Sequence, residues 1–227
     1  MLTAGVSADS SPVAANFDQL YGEDERYWWR HEDPYSTNPD DYSLSLLTQL
    51  TLRILADRPA GRALDLGAGE GADSIRLARL GYDVTAVDIS TVGAGKIEKF
   101  AADADVKVNV EVADASSYVP GGLFDVVIAN GLLHYVQNQE LVIERMQQAT
   151  TPGGINVISL WSTYTRVPDC HRRVPIYCDD ENGVVARSYH SWITKLLFFE
   201  RAKAESAHPG MPVHSHSHIK LIAQKPC

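Results

Sequence analysis

Between a short apolar run and an amphipathic stretch, the chain carries Asp65-Leu66-Gly67-Ala68-Gly69-Glu70-Gly71, an acid followed by three alternating glycines. Glycines at such a junction let backbone amides approach a ligand closely, and the helix that follows points its N-terminal dipole at it. About 20 residues on, Asp88 closes the next apolar run, where a carboxylate can accept from both hydroxyls of a ribose. Val112-Ala113-Asp114 repeats the pattern with an acid suited to an adenine amino group, and Phe124–Asn130 ends in an amide. Gly67, Gly69 and Ala72 also satisfy G-x-G-x-x-G/A, so the loop by itself fits a nicotinamide dinucleotide too. Asp65 tips the balance, because a dinucleotide fold keeps an apolar residue there and a carboxylate suits a cationic ligand.

Positioning those acids requires a parallel sheet. Apolar runs at 62–66, 83–87, 107–112, 124–130 and 155–160 read as strands, and 72–80, 91–102 and 139–149 between them read as helices. This alternation predicts right-handed crossovers and an α/β, Rossmann-like doubly wound sheet, whose ligands collect at the carboxyl ends of its strands. Asp65, Asp88, Asp114 and Asn130 all fall at such ends. Two further strand-like runs, 195–200 and 217–224, predict an antiparallel hairpin on the sheet edge. Upstream, residues 1–16 read as a disordered start and 17–56 as a helical lid ending in a helix over 42–56. The core is expected over 57–227.

Composition narrows the partners. A hydrophobic fraction of 44%, a charged fraction of 22% and a net charge of −9 describe an ordinary globular chain without the basic surface a nucleic acid requires. No apolar run approaches the ~18 residues of a membrane span, and the N-terminus has no secretory pattern. Three cysteines without an export signal lead us to expect reduced thiols and a cytoplasmic, monomeric or homodimeric protein that acts on a small molecule.

The whole order resembles the class I S-adenosylmethionine-dependent methyltransferases: glycine loop, strand-ending acid, second acid, then Phe124-Asp125-Val126-Val127 followed by His134-Tyr135. Thr151-Pro152-Gly153-Gly154 is similar to that family's turn before the fifth strand, with Thr in place of a basic residue. The ending, Phe199-Glu200-Arg201 and Ser206 through Ala223, resembles the tellurite-resistance (TehB-like) group. The resemblance implies a seven-stranded fold and S-adenosyl-L-methionine as cofactor, leaving S-adenosyl-L-homocysteine as product. It implies that Asp65, Gly67, Gly69 and Gly71 hold the methionine end, Asp88 the ribose, Asp114 the adenine, and that Asn130 lines the methyl end, with Ala68, Ile89 and Ala115 completing the set. The reaction expected is methyl transfer to a small N, O, S, Se or Te nucleophile. Tellurite or selenite detoxification, a nicotinamide-dependent reductase and a non-catalytic binding protein stand as alternatives.

His134, just past the fourth strand, is the candidate general base, and its other reading is a histidine that bonds backbone or packs on the cofactor. Tyr21, Trp28 and Trp29 are expected to cover the substrate through aromatic faces, or else to pack outside the core. His171, Arg172 and Arg173 form a compact basic cluster that could hold an anionic acceptor or only pair with surface acids. His214, His216 and His218 alternate on one strand face. That face could ligate a metal, line the pocket or lie exposed, and no metal site is expected from it.

Overall fold

In the computed structural model, residues 11–27, 33–165, 174–205 and 213–227 are described. Helices α1 (Pro12–Gly22) and α2 (Leu46–Ala56) precede the sheet. Then β1 (Arg62–Leu66), α3 (Ala72–Arg79), β2 (Asp83–Asp88), α4 (Thr91–Asp103), β3 (Asn109–Val112) and β4 (Phe124–Asn130) alternate. A single 3-10 turn, Leu133–Tyr135, leads to α5 (Gln139–Gln148), β5 (Thr150–Trp161), α6 (Val184–Ser188), β6 (Ile193–Glu205) and β7 (His214–Gln224).

The seven strands lie in the order β3-β2-β1-β4-β5-β7-β6. The first five are parallel, and β7 runs antiparallel to both β5 and β6, so the expected hairpin extends the edge beyond β5. The strand order reverses between β1 and β4, which remain parallel, and that switch point is the crevice where doubly wound sheets bind ligands. Leu64, Val127, Ile158 and Leu221 pack toward α5 on one face. Ala63, Val126, Val157 and Ile222 pack toward α2 and α3 on the other. Strands buried on both faces explain the near-continuous apolar runs of the central sequence. Among the described residues no helix is long and apolar enough to cross a membrane.

Several expected boundaries move. Residues 12–16 are helical, which corrects the disordered reading of 1–16 from Pro12 onward. Ser11 caps α1, its hydroxyl accepting from the Val13 N–H, and Pro12 sits in the first turn where its missing N–H does no harm. Helix α2 starts at Leu46 rather than 42, because Ser45 accepts from the Thr48 N–H and ends the preceding turns. The Pro152-Gly153-Gly154 segment belongs to β5, whose register with β4 shifts between Phe124 and Val126. Helix α6, Val184–Ser188, is started by Asp179, whose carboxylate accepts from the Val184 and Val185 N–H groups at 2.8 and 2.9 Å.

Gly71 enters α3 with φ +84°, and a Cβ there would lie 2.9 Å from the Ile97 side chain of α4. Gly71→Ala is therefore expected to lower stability by about 1–3 kcal/mol, from left-handed strain plus overpacking. Urea unfolding measures it, and an unchanged midpoint would remove Gly71 from the list of required glycines.

Candidate active site

The loop between β1 and α3 hangs from the end of β2. The Gly67 and Ala68 N–H groups both donate to the Val87 carbonyl, at 2.8 and 3.0 Å. Asp88 then ties three pieces together: one carboxylate oxygen accepts from the Gly69 N–H at 2.7 Å and the other from the Ser90 N–H at 2.8 Å, at the start of α4. Gly93 completes the approach of α4, since a Cβ on it would lie 2.8 Å from the Gly69 carbonyl. Nothing in a lone glycine within a helix pattern marks this role.

Above the loop lies a cavity of about 380 Å³, within the usual range of small-molecule sites. Asp65, Gly67, Ala68, Gly69 and Asp88 line it, and so do Ile89, Asp114, Ala115 and Asn130. The structure thus brings together the expected cofactor residues except Gly71, whose N–H donates to the Ala68 carbonyl and whose place is in the turn. Asp114 uses one oxygen to accept from the Ser116 N–H at 2.8 Å. Asn130 donates its amide to Asp73, a further cavity acid that Arg76 pairs at 2.5 Å.

Asp65 is 2% exposed and accepts from the Ser74 hydroxyl at 2.6 Å. Burial, and then repulsion from Asp73, push its carboxyl well above the ordinary range. Burial likewise raises Asp88 to about 6, against the opposing pull of the Ser90 and Gly69 N–H groups. Two buried carboxyls of this kind make a site that a cation would relieve.

The N-terminal segment closes over this cavity. Val13, Phe17 and Tyr21 of α1 line it, and Tyr21 reaches the glycine loop, its hydroxyl 3.0 Å from where a Gly69 Cβ would be. Asp18 fastens α1 to the N-terminus of α4, accepting from the Ser90 hydroxyl at 2.6 Å and the Val92 N–H at 3.1 Å. Glu70 is the second fastening: fully buried, it accepts from the Tyr27 N–H at 2.9 Å and pairs with Lys96 at 2.7 Å. Trp28 and Trp29, expected beside Tyr21, lie outside the described residues, and so do His171, Arg172 and Arg173.

The far side of the cavity is aromatic. Trp161, ending β5, is sandwiched between His134 at 4.4 Å and His216 at 4.3 Å between ring centroids. Tyr135 lines the cavity with its hydroxyl pushed up by burial, and packs edge-on to Phe17 at 5.0 Å. His134 Nδ1 accepts the Trp161 N–H at 3.4 Å, so its neutral ring keeps the proton on Nε2 and presents a donor. That contact is the one that the backbone-bonding reading of His134 requires. His216 and His218 share a face and line the cavity, which corrects the exposed-face reading of that row; the His214 side chain lies outside the description. Among the described residues, no group of three His, Cys, Asp or Glu is placed to hold a metal.

Comparison with known proteins agrees with this geometry. A family described as a methyltransferase domain matches residues 40–224. The 27-O-demethylrifamycin SV methyltransferase of Amycolatopsis mediterranei (strain S699) is 34% identical over 155 residues, covering 60% of this chain and 51% of that protein. The crystal structure of TehB from Haemophilus influenzae superposes with a TM-score of 0.67 at 18% identity, over 81% of this chain and 64% of that one. The N-methyltransferase NodS from Bradyrhizobium japonicum WM9, in complex with S-adenosyl-L-homocysteine, gives 0.66 at 17%, over 96% of this chain and all of its own. The chain spans between about half and two thirds of the length of the curated relatives it matches. It belongs to the methyltransferase-domain family and has the class I S-adenosylmethionine-dependent fold. That membership takes the methyltransferase side of the ambiguity in the glycine spacing.

Folded Asp65 and Asp88 hold their protons more tightly than the unfolded chain, whose carboxyls ionise near pH 4. Their contribution to stability therefore falls as pH rises from about 4 through about 6 and above. Asp65→Asn is expected to be more stable than the parent at pH 8, by about 1–3 kcal/mol, with the gap closing toward pH 5. Urea titrations at the two pH values measure the difference; an equal gap at both would show that Asp65 is not held with a raised pKa.

Proposed function

We propose that this protein transfers the methyl group of S-adenosyl-L-methionine to a small-molecule acceptor by in-line displacement. The observation that carries the reading is the pair of buried carboxyls, Asp65 and Asp88, facing one cavity beside the glycine loop. Their chemistry fits this cofactor, whose ammonium and sulfonium supply the positive charge that the acids lack. When bound, it supplies a methyl group activated for nucleophilic attack. The chain's own work is to orient and exclude water.

In this reading Asp65 and the Gly67–Gly69 backbone hold the methionine end, Asp88 and Ile89 the ribose, and Asp114 and Ala115 the adenine. Asn130 flanks the methyl end, pinned by its bond to Asp73. The segment over 17–56 acts as the cover, with Asp18 and Glu70 as its fastenings. The acceptor wall of Tyr135, Trp161 and His216 favours an organic molecule over tellurite or selenite, since flat apolar faces offer little to a small hydrated oxyanion. A net charge of −9 speaks for a small partner rather than a nucleic acid, and the free thiols of Cys178 and Cys227 suit a reducing cytoplasm.

Binding of a cation draws protons off the buried acids, so affinity for S-adenosylmethionine should strengthen as pH rises from about 5.5 to about 8. Asp88→Ala should weaken binding by about 10- to 100-fold, the loss of hydrogen bonds to a charged group. Titration calorimetry in two buffers reads both the affinity and the released protons; pH-independent binding without proton release would count against the role of the acids. Incubation with methyl-labelled S-adenosylmethionine and a metabolite extract, followed by mass spectrometry, tests the transfer itself. Cofactor binding with no labelled product would leave a binding protein.

A further inference from the structure

Following the strand order across the cavity rim, the side chains change character. Asp114 follows β3 and Asp88 and Asp65 lie at the ends of β2 and β1, whereas Trp161 ends β5 and His218 sits opposite it on β7. One stretch of the rim is therefore acidic and the other is made of imidazoles and indole. The imidazoles differ in the state their neighbours impose. His134 receives a backbone N–H at Nδ1, which fixes its proton on Nε2.

His218 is the reverse case. Its register partner on β6 is Glu200, whose Oε2 lies 3.4 Å from His218 Nδ1. The contact is electrostatic rather than a hydrogen bond, and a carboxylate on that side favours the tautomer with its proton on Nδ1 and Nε2 as the basic atom. Lys220, two residues on and on the same face, places Nζ 2.9 Å from the same Glu200 oxygen with its side chain 7% exposed. That ammonium pairs with the carboxylate and anchors it. Among the described residues His216 also lies against His218, with ring centroids 5.9 Å apart.

We propose that His218 is the general base of this methyltransferase, that Glu200 is its positioning residue, and that the acceptor is an aromatic hydroxyl. The inference rests on the methyl-transfer reading above. The side chains of Phe17, Tyr135, Trp161 and His216 line the cavity and give a planar ring an aromatic, largely apolar surround. A phenolic hydroxyl ionises near pH 10 and is protonated at neutral pH, whereas an imidazole near 6.5 is matched to take its proton. In the step, His218 takes the hydroxyl proton while the oxygen forms its bond to the methyl carbon. The carbon–sulfur bond breaks with its electron pair going to sulfur, and the proton then leaves the imidazole to solvent.

The test supplies the full chain with methyl-labelled S-adenosylmethionine and two probes, catechol and thiophenol; the second is largely ionised near neutral pH and needs no base. Catechol turnover is expected to rise with pH through the imidazole range. His218→Asn should lower it roughly 100-fold or more, with a loss on thiophenol at least about tenfold smaller. Cofactor affinity within about threefold of the parent shows that the variant is folded. Glu200→Gln should lower catechol turnover about tenfold and move the pH limb downward, because losing the carboxylate lowers the imidazole pKa. Equal losses on both probes, an intact limb in His218→Asn, or transfer of the limb's loss to His134→Asn would overturn the assignment. Cofactor bound but neither probe labelled would overturn the aromatic acceptor and leave methyl transfer standing. No cofactor binding at all would overturn the underlying reading.

Discussion

The Asp88 carboxylate is the constraint on which the site depends. By accepting from Gly69 and Ser90 it fixes the glycine loop to the end of β2 and to the start of α4. Asp18 meets the same helix start from the other side, through Ser90 and Val92, so the cover over the cavity is fastened to the helix that Asp88 sets in place. The arrangement holds a carboxyl in a buried position against its preference for water, and Asp65 does the same one strand away. Both burdens are lifted by a cation. Stability is given up locally so that cofactor binding has a charge to neutralise.

Much of this was legible from sequence because the central strands are short apolar runs that end in polar residues. A parallel sheet buried on both faces leaves only the strand ends free to bear acids, so Asp65, Asp88, Asp114 and Asn130 could be placed on one edge without coordinates. The antiparallel hairpin was read from two strand-like runs at the end of the chain, and the seven-stranded fold came from the family resemblance.

What escaped the sequence depends on contacts far apart in the chain. Glu70 reads as a polar loop residue, yet Tyr27, 43 positions before it, and Lys96, 26 after it, converge to bury its carboxylate. Asp18 caps a helix more than 70 positions away. The histidines of β7 look like a solvated row, because alternation gives a shared face and says nothing about what covers it. Here Trp161 stacks on His216, and the face closes on the cavity. His134 was placed in the right pocket, but its contact with the backbone N–H of Trp161, on a different strand, could not be read from sequence.

In the proposed mechanism the two halves of the rim divide the work, acids toward the cationic cofactor and imidazoles toward the acceptor. A crystal structure with S-adenosyl-L-homocysteine bound tests that division most directly. The ribose hydroxyls should lie within hydrogen-bond distance of Asp88, the amino group near Asp65, and the sulfur should face the side lined by Tyr135, Trp161 and His218. A ligand whose ribose avoids Asp88, or whose sulfur faces away from the imidazole wall, would contradict it.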